Sequence, residues 1–195
     1  IERAIADASD ILLLNSDTII FPGALTELSA VAHEDPMVGF VNPRSNNATL
    51  ATFPHGVDQL NLLPEESYKI FRQAARRLNR FTYVPTAVGF CLYIKHEVIA
   101  EFGGFDPIFG AGYNEENDLI MRANRVGYRA VLANKAFVWH KGEASFGLLA
   151  KRRDFREEKN AKILNERYPE FQNLLSDYFR SPEYKAESLA SVDRC

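Results

Sequence analysis

Ile11-Leu12-Leu13-Leu14-Asn15-Ser16-Asp17-Thr18 is the stretch on which the fold reading turns. Four apolar residues in succession, too few for a helix, read as a buried strand of the kind found in parallel sheets covered on both faces. The polar run Asn15 to Thr18 closes that strand. Open α/β sheets bind ligands beyond the carboxyl ends of their strands, which makes Asp17 a candidate site residue. A plain turn explains the same residues, since Asn, Ser and Asp are common turn formers.

The pattern repeats outward from there. Upstream, Glu2 to Ala8 reads as the tail of a helix, and the chain starts at Ile1. A piece cut from a longer polypeptide is therefore expected. Downstream, Pro22 suits the first turn of a helix whose apolar face is Ala24, Leu25, Leu28, Val31 and Ala32. That helix ends near His33-Glu34-Asp35-Pro36. Met37 to Val41 reads as the next buried strand. Asn42 to Thr49 reads as a polar loop, in which Asn46 and Asn47 either bind a sugar or hold the loop together.

Residues 64 to 80 read as a helix, acidic at its start and basic at its end (Arg72, Arg76, Arg77, Arg80). Phe81–Val84 and Val88–Ile94 read as strands, with Gly89 marking close approach of a backbone or ligand. His96–Phe102 is a short helix, while Tyr128–Ala133 and Ala136–His140 read as two strands. Helical periodicity runs from 148 to about 180, broken at Tyr168-Pro169, and the final residues read as poorly ordered. Strands alternating with helices define an α/β chain. No Walker A or G-x-G-x-x-G phosphate loop occurs.

The densest chemistry lies at Gly112-Tyr113-Asn114-Glu115-Glu116-Asn117-Asp118. Leu119, Ala123 and Val126 follow at helical spacing and Gly127 stops the run, so the acids occupy a first helical turn. Free N–H groups at a helix start favour negative charge. Capping explains these acids; so does a general base at the mouth of a cleft.

Composition narrows the classes. The 195 residues are 46% hydrophobic and 25% charged, which suits one globular domain. A net charge of −3 argues against a duplex nucleic-acid binder held by bulk electrostatics. No apolar run approaches a membrane span. Cys91 and Cys195 form neither a disulfide framework nor a thiolate metal site, and a reducing compartment is expected.

Asp17, the acids at 115–118 and His140 all end strands or open helices. Singly each has a structural explanation, a strand-end histidine above all. Together they make a hard-cation site plus a base. An Asp oxygen with a His nitrogen suits Mn2+ better than Ca2+, and Mg2+ would need mostly oxygen and water.

The motifs Leu12-Leu13-Leu14-Asn15-Ser16-Asp17-Thr18, Ser45-Asn46-Asn47-Ala48-Thr49, Gly112 to Leu119, Gly127-Tyr128-Arg129 and Val138-Trp139-His140 come in an order that resembles a family 2 inverting glycosyltransferase of the GT-A fold. The rhamnosyltransferase-like subgroup of bacterial polysaccharide assembly is the nearest in pattern. The resemblance covers roughly residues 1 to 147. It implies a mixed, mainly parallel sheet flanked by helices, truncated at its N-terminal side, with residues 148–195 as a helical C-terminal extension and tail.

By this resemblance Asp17 holds a divalent metal, Mn2+ or Mg2+, that bridges the phosphates of a nucleotide-sugar donor. Asn15 stands where the family's DxD-type motif has its first Asp, so one carboxylate grips instead of two. The catalytic acids are Glu116, as general base, with Glu115 beside it and Asp118 fixing the helix start. His140 contacts the metal or the diphosphate. Asn15, Asn46, Asn47, Gly89, Tyr113, Arg122 and Trp139 are the expected substrate contacts. The acceptor is a glycan or a lipid-linked sugar, in the cytoplasm or at the inner face of a membrane, which the parent protein touches. The resemblance further implies a fragment that lacks the strand and loop that hold the base in the family. The competing class is a non-catalytic sugar- or partner-binding domain that keeps the fold. An α/β hydrolase lacks support, since no G-x-S-x-G elbow exists. The enzyme reading requires Asp17, Glu116 and His140 to meet at one rim.

Overall fold

The structure is a computed structural model that describes residues 2–55, 62–110, 112–142 and 150–192. Ile1, Ala111, Cys195 and the first two positions expected for the C-terminal extension lie outside the described residues. Six strands form the sheet: β1 (Ile11–Leu14), β2 (Thr18–Ile20), β3 (Val38–Arg44), β4 (Phe81–Val84), β5 (Cys91–Ile94) and β6 (Arg129–His140). Their order is β1-β5-β3-β6-β2, with β4 also paired to β6. The helices are α1 (Glu2–Ala6), α2 (Ala24–Ala32), α3 (Pro64–Ala74), α4 (His96–Phe102), α5 (Glu115–Asn124), α6 (Ala150–Arg167), α7 (Phe171–Arg180) and α8 (Pro182–Val192).

The sheet is mixed and flanked by helices, as expected, but it is not mainly parallel. Only the β3–β6 pair is parallel among the described strands. The β1–β5, β2–β6, β3–β5 and β4–β6 pairs are antiparallel. An apolar run reports that a strand is covered and says nothing about the direction of its neighbours. β1 departs further from expectation. It pairs only with β5 among the described strands, is half-buried, and leaves Leu14 exposed.

Polar residues mislead the sequence reading in three places. β3 runs on through Asn42, Pro43 and Arg44, where a loop was expected, and Asn42 and Arg44 are fully buried. Asn42 Nδ2 donates to the carbonyls of Val88 and Cys91, and its Oδ1 accepts from the Val88 N–H. β6 is one strand of 12 residues instead of two. Its middle residues Asn134 and Lys135 satisfy carbonyls of the α3–β4 segment, with Asn134 Nδ2 on Asn79 and Lys135 Nζ on Leu78. Pro182–Val192, in the stretch expected to be poorly ordered, forms α8, whose buried Glu187 pairs with Arg44 and accepts from Thr82 Oγ1 at 2.9 Å. Buried polar groups are hydrogen-bonded, and composition does not reveal such partners.

The core lies between the sheet and its helices. α2 buries Ala24, Leu28, Val31 and Ala32 against it, each large side chain contributing roughly 1.5–3 kcal/mol. An aromatic cluster of Phe21, Phe53, Phe71 and Phe137 forms a second centre. A third, Met121 with Leu164, Tyr168 and Phe171, fastens α5 to α6 and α7. Within α5, Leu119 and Ala123 are buried as the helical spacing predicts, whereas Val126, past the helix end, is exposed. Arg80, read as part of a basic helix end, is held by Glu27 and Glu34 on α2 and the turn after it. No helix among the described residues is long and apolar enough to cross a membrane.

Candidate active site

Backbone pairing builds one side of the site. In the β2–β6 ladder Thr18 lies opposite His140, and the Lys141 N–H donates to the Asp17 carbonyl at 3.0 Å. Sheet register therefore places Asp17 beside His140. The turn before β2 is pinned as well, since the Asn15 N–H donates to the Phe90 carbonyl and Thr18 Oγ1 donates to the Asn15 carbonyl. The Asn15 side chain itself is exposed.

The His140 ring is held on three sides. It stacks on Phe90 at 5.3 Å between centroids. Its Nδ1 lies 2.6 Å from the Asn47 carbonyl, and its Nε2 lies 3.5 Å from Asp17 Oδ2. A carbonyl only accepts, so Nδ1 carries the proton, and in the neutral ring the Nε2 lone pair faces Asp17. Asn46 clamps the main chain, its Oδ1 accepting from the His140 N–H and its Nδ2 donating to the His140 carbonyl. Asn46 and Asn47 thus hold the histidine in place.

Both Asp17 carboxylate oxygens are shielded from solvent and have no hydrogen-bond partner. A solvent-shielded carboxylate without a hydrogen bond is costly, and a cation relieves that cost. Asp17 oxygen with neutral His140 nitrogen is a fitting donor pair for Mn2+, and Mg2+ is bound by one or two carboxylates plus substrate phosphates. Among the described residues no three His, Cys, Asp or Glu side chains gather as a metal site. Phosphate oxygens would have to complete the set.

The other side is built by side chains at the start of α5. Gly112, Tyr113 and Asn114 all have positive φ, at 103°, 72° and 72°. Two of these are not glycine, and such backbone persists only where its surroundings over-determine it. The turn delivers Glu115 and Glu116 at the first helical positions. Glu116 lies against the Gly89 backbone and beside Glu115. Each of the two acids keeps a solvent-shielded Oε2 without a partner. Burial, reinforced by the neighbouring Glu115 charge, pushes the Glu116 carboxyl up to about 7. Gly89 sits in the turn before β5, where an added Cβ would lie 3.7 Å from Glu116 Oε1. A backbone or ligand was expected to approach closely there; the structure places the Glu116 side chain, at ordinary van der Waals distance.

Asp118 has a different environment. It is fully buried, and its carboxylate accepts from Arg122 Nε at 3.0 Å, Arg167 Nη1 at 2.8 Å and the Tyr168 hydroxyl at 3.1 Å. Arg122, expected at the substrate, spends its other nitrogens on the carbonyls of Phe102 and Gly104. Trp139 precedes His140 in β6 and by strand alternation faces the opposite way, where it packs against the aromatic cluster. The structure thus engages Asp118, Arg122 and Trp139 in packing and ion pairs instead of in the group formed by Glu116, Asp17 and His140.

Contacts link the two sides. Asp17 meets His140, His140 stacks on Phe90, and the adjacent Gly89 lies against the Glu116 side chain. Asp17 and His140 thus meet directly, and Glu116 neighbours them by way of Gly89 and Phe90. Phe90, Asn160, Arg167 and Tyr168 were missed. Only Phe90 had a signal, as the neighbour of a glycine in a strand-like run.

The sequence profile described as glycosyltransferase-like family 2 matches residues 3–158, and the chain belongs to that family. Its fold is similar to that of a mannosyltransferase from Pyrobaculum calidifontis solved in complex with GDP-Man and Mn2+, with a TM-score of 0.53 and 16% identity. That match covers 97% of this chain and 50% of the mannosyltransferase, so the chain spans about half its length. No curated protein matches the chain.

Proposed function

We propose that this chain carries the catalytic face of an inverting glycosyltransferase that moves a sugar from a nucleoside-diphosphate donor to an acceptor hydroxyl. The observation that carries the reading is Glu116, a half-buried residue with a solvent-shielded Oε2, whose carboxyl is pushed up to about 7 by desolvation and the Glu115 charge and which neighbours the Asp17–His140 pair by way of Gly89 and Phe90. The ionised Glu116 takes the proton of the acceptor hydroxyl. The acceptor oxygen bonds to the anomeric carbon as the bond from that carbon to the diphosphate oxygen breaks. The nucleoside diphosphate departs from the opposite face, and one displacement inverts the centre. Asp17 and His140 would hold a divalent cation, which when bound supplies positive charge against the leaving diphosphate. Asp118 and Arg122 keep α5 in place.

The mannosyltransferase structure, with its nucleotide-sugar and Mn2+, supports a donor and metal of this kind. The finer reading is a rhamnosyltransferase-like enzyme of bacterial polysaccharide assembly with a glycan or lipid-linked acceptor, working at the inner face of the membrane. Glu116→Gln in the full-length protein, assayed over a panel of nucleotide-sugars with Mn2+, tests the reaction. General-base loss predicts a fall in turnover of about 10²–10⁴-fold. Wild-type turnover, still rising through pH 7, would remove Glu116 from the chemistry.

A further inference from the structure

The acids at the start of α5 depend on a residue far along the chain. Asn160 of α6 is buried, and its Nδ2 lies 2.8 Å from the Phe109 carbonyl, 3.0 Å from that of Gly112 and 2.8 Å from that of Tyr113. Carbonyls only accept, so the amide nitrogen faces them. Asn160 Oδ1 is left buried with no partner. That loss is tolerated in a residue whose donors close the left-handed turn Gly112–Asn114. The same helix, with Tyr168 just after it, grips α5 a second time through Arg167 and Tyr168 on Asp118. Leu164 packs on Met121 between these two grips.

We propose that Asn160 is a positioning residue for Glu116. By holding the carbonyls of Gly112 and Tyr113 it fixes the turn that aims Glu115 and Glu116 at Gly89. Residues beyond the strands, expected as an extension, thereby become part of the site's construction. The inference extends the transferase reading and rests on it for its functional meaning, while the positioning itself is open to a direct measurement.

The test is a 13C titration of the Glu116 side-chain carboxyl in the full-length protein, comparing wild type with Asn160→Ala. Asn165→Ala, at an exposed position of the same helix, is the control. Loosening the turn admits water to the Glu116–Glu115 pair. The Glu116 midpoint should then fall by at least about 1 pH in N160A and stay put in N165A. Asn160→Ser, which keeps one donor, should fall between them. A folded N160A with the wild-type midpoint overturns the proposal, because a helix held by Asp118 alone would give that result. If N160A does not fold, N160S decides by the same reading, an unchanged midpoint again overturning it. The titration needs no turnover. Full activity in Glu116→Gln would remove the transferase mechanism and leave the Asn160 result standing on its own.

Discussion

The two sides of the site are made by different means. The Asp17–His140 side is set first by backbone, since sheet register puts Thr18 opposite His140, and the Asn46 side chain adds two hydrogen bonds to the His140 main chain. The Glu116 side is set by side chains reaching from distant segments, Asn160 to the turn and Arg167 with Tyr168 to Asp118. Ladder hydrogen bonds survive most side-chain changes. A turn with two non-glycine left-handed residues does not hold itself. The helix side should therefore be the fragile one, and it carries the proposed chemical group, while the strand side holds the proposed cation and diphosphate.

The largest effect expected from this contrast is at Asp118. Asp118→Ala strips the shared partner from Arg122, Arg167 and Tyr168. Breaking a buried ion pair costs roughly 3–5 kcal/mol. Both arginines keep partial access to water, which places the loss toward the lower end. Urea unfolding of the full chain measures it. A change under about 1 kcal/mol would mean that Leu164 and Met121 alone hold α5, and the contrast between the two sides would collapse.

A second effect has the opposite sign. Glu116 is raised from 4.5 to about 7, so between those values the folded chain holds more protons than the unfolded one. Stability is then complete below about pH 4.5 and falls as pH rises through 7. Glu116→Gln cannot ionise and should be more stable than the native chain at pH 8, by no more than about 3–4 kcal/mol for a shift from 4.5 to about 7. The gap should close near pH 5. Equal stabilities at both pH values would mean that Glu116 stays solvated, and its candidacy as a base near neutral pH would go with that.

Legibility in the sequence followed the same division. α4 and the start of α5 were readable because their periods and stop signals are local. Asp17, Glu116 and His140 were readable as motif positions, and the structure sets Asp17 beside His140. β2 was not readable, since Thr18-Ile19-Ile20 is too short to show alternation. The role of Asp118 at the helix start came from the family resemblance alone, because the partners that hold it, Arg167 and Tyr168, lie about fifty positions on. Asn160 left no trace beyond one amide in a charged helix. Buried polar partners at long range are the part that a linear reading lacks.

The smallest effect sharpens the strand side. Asn46→Ala removes the acceptor for the His140 N–H and the donor to its carbonyl. One or two unpaired buried backbone groups cost about 1–3 kcal/mol, toward the low end here since His140 keeps slight exposure and water can enter. The β2–β6 ladder and the Lys141 N–H on Asp17 remain. The ring should loosen without leaving Asp17, and Mn2+ affinity, read by calorimetry on the full-length protein, should weaken within the 10–100-fold range typical of outer-shell partners. Complete loss of Mn2+ binding with the fold intact would show that the backbone ladder does not suffice to place His140. The strand side would then be as dependent on distant side chains as the helix side.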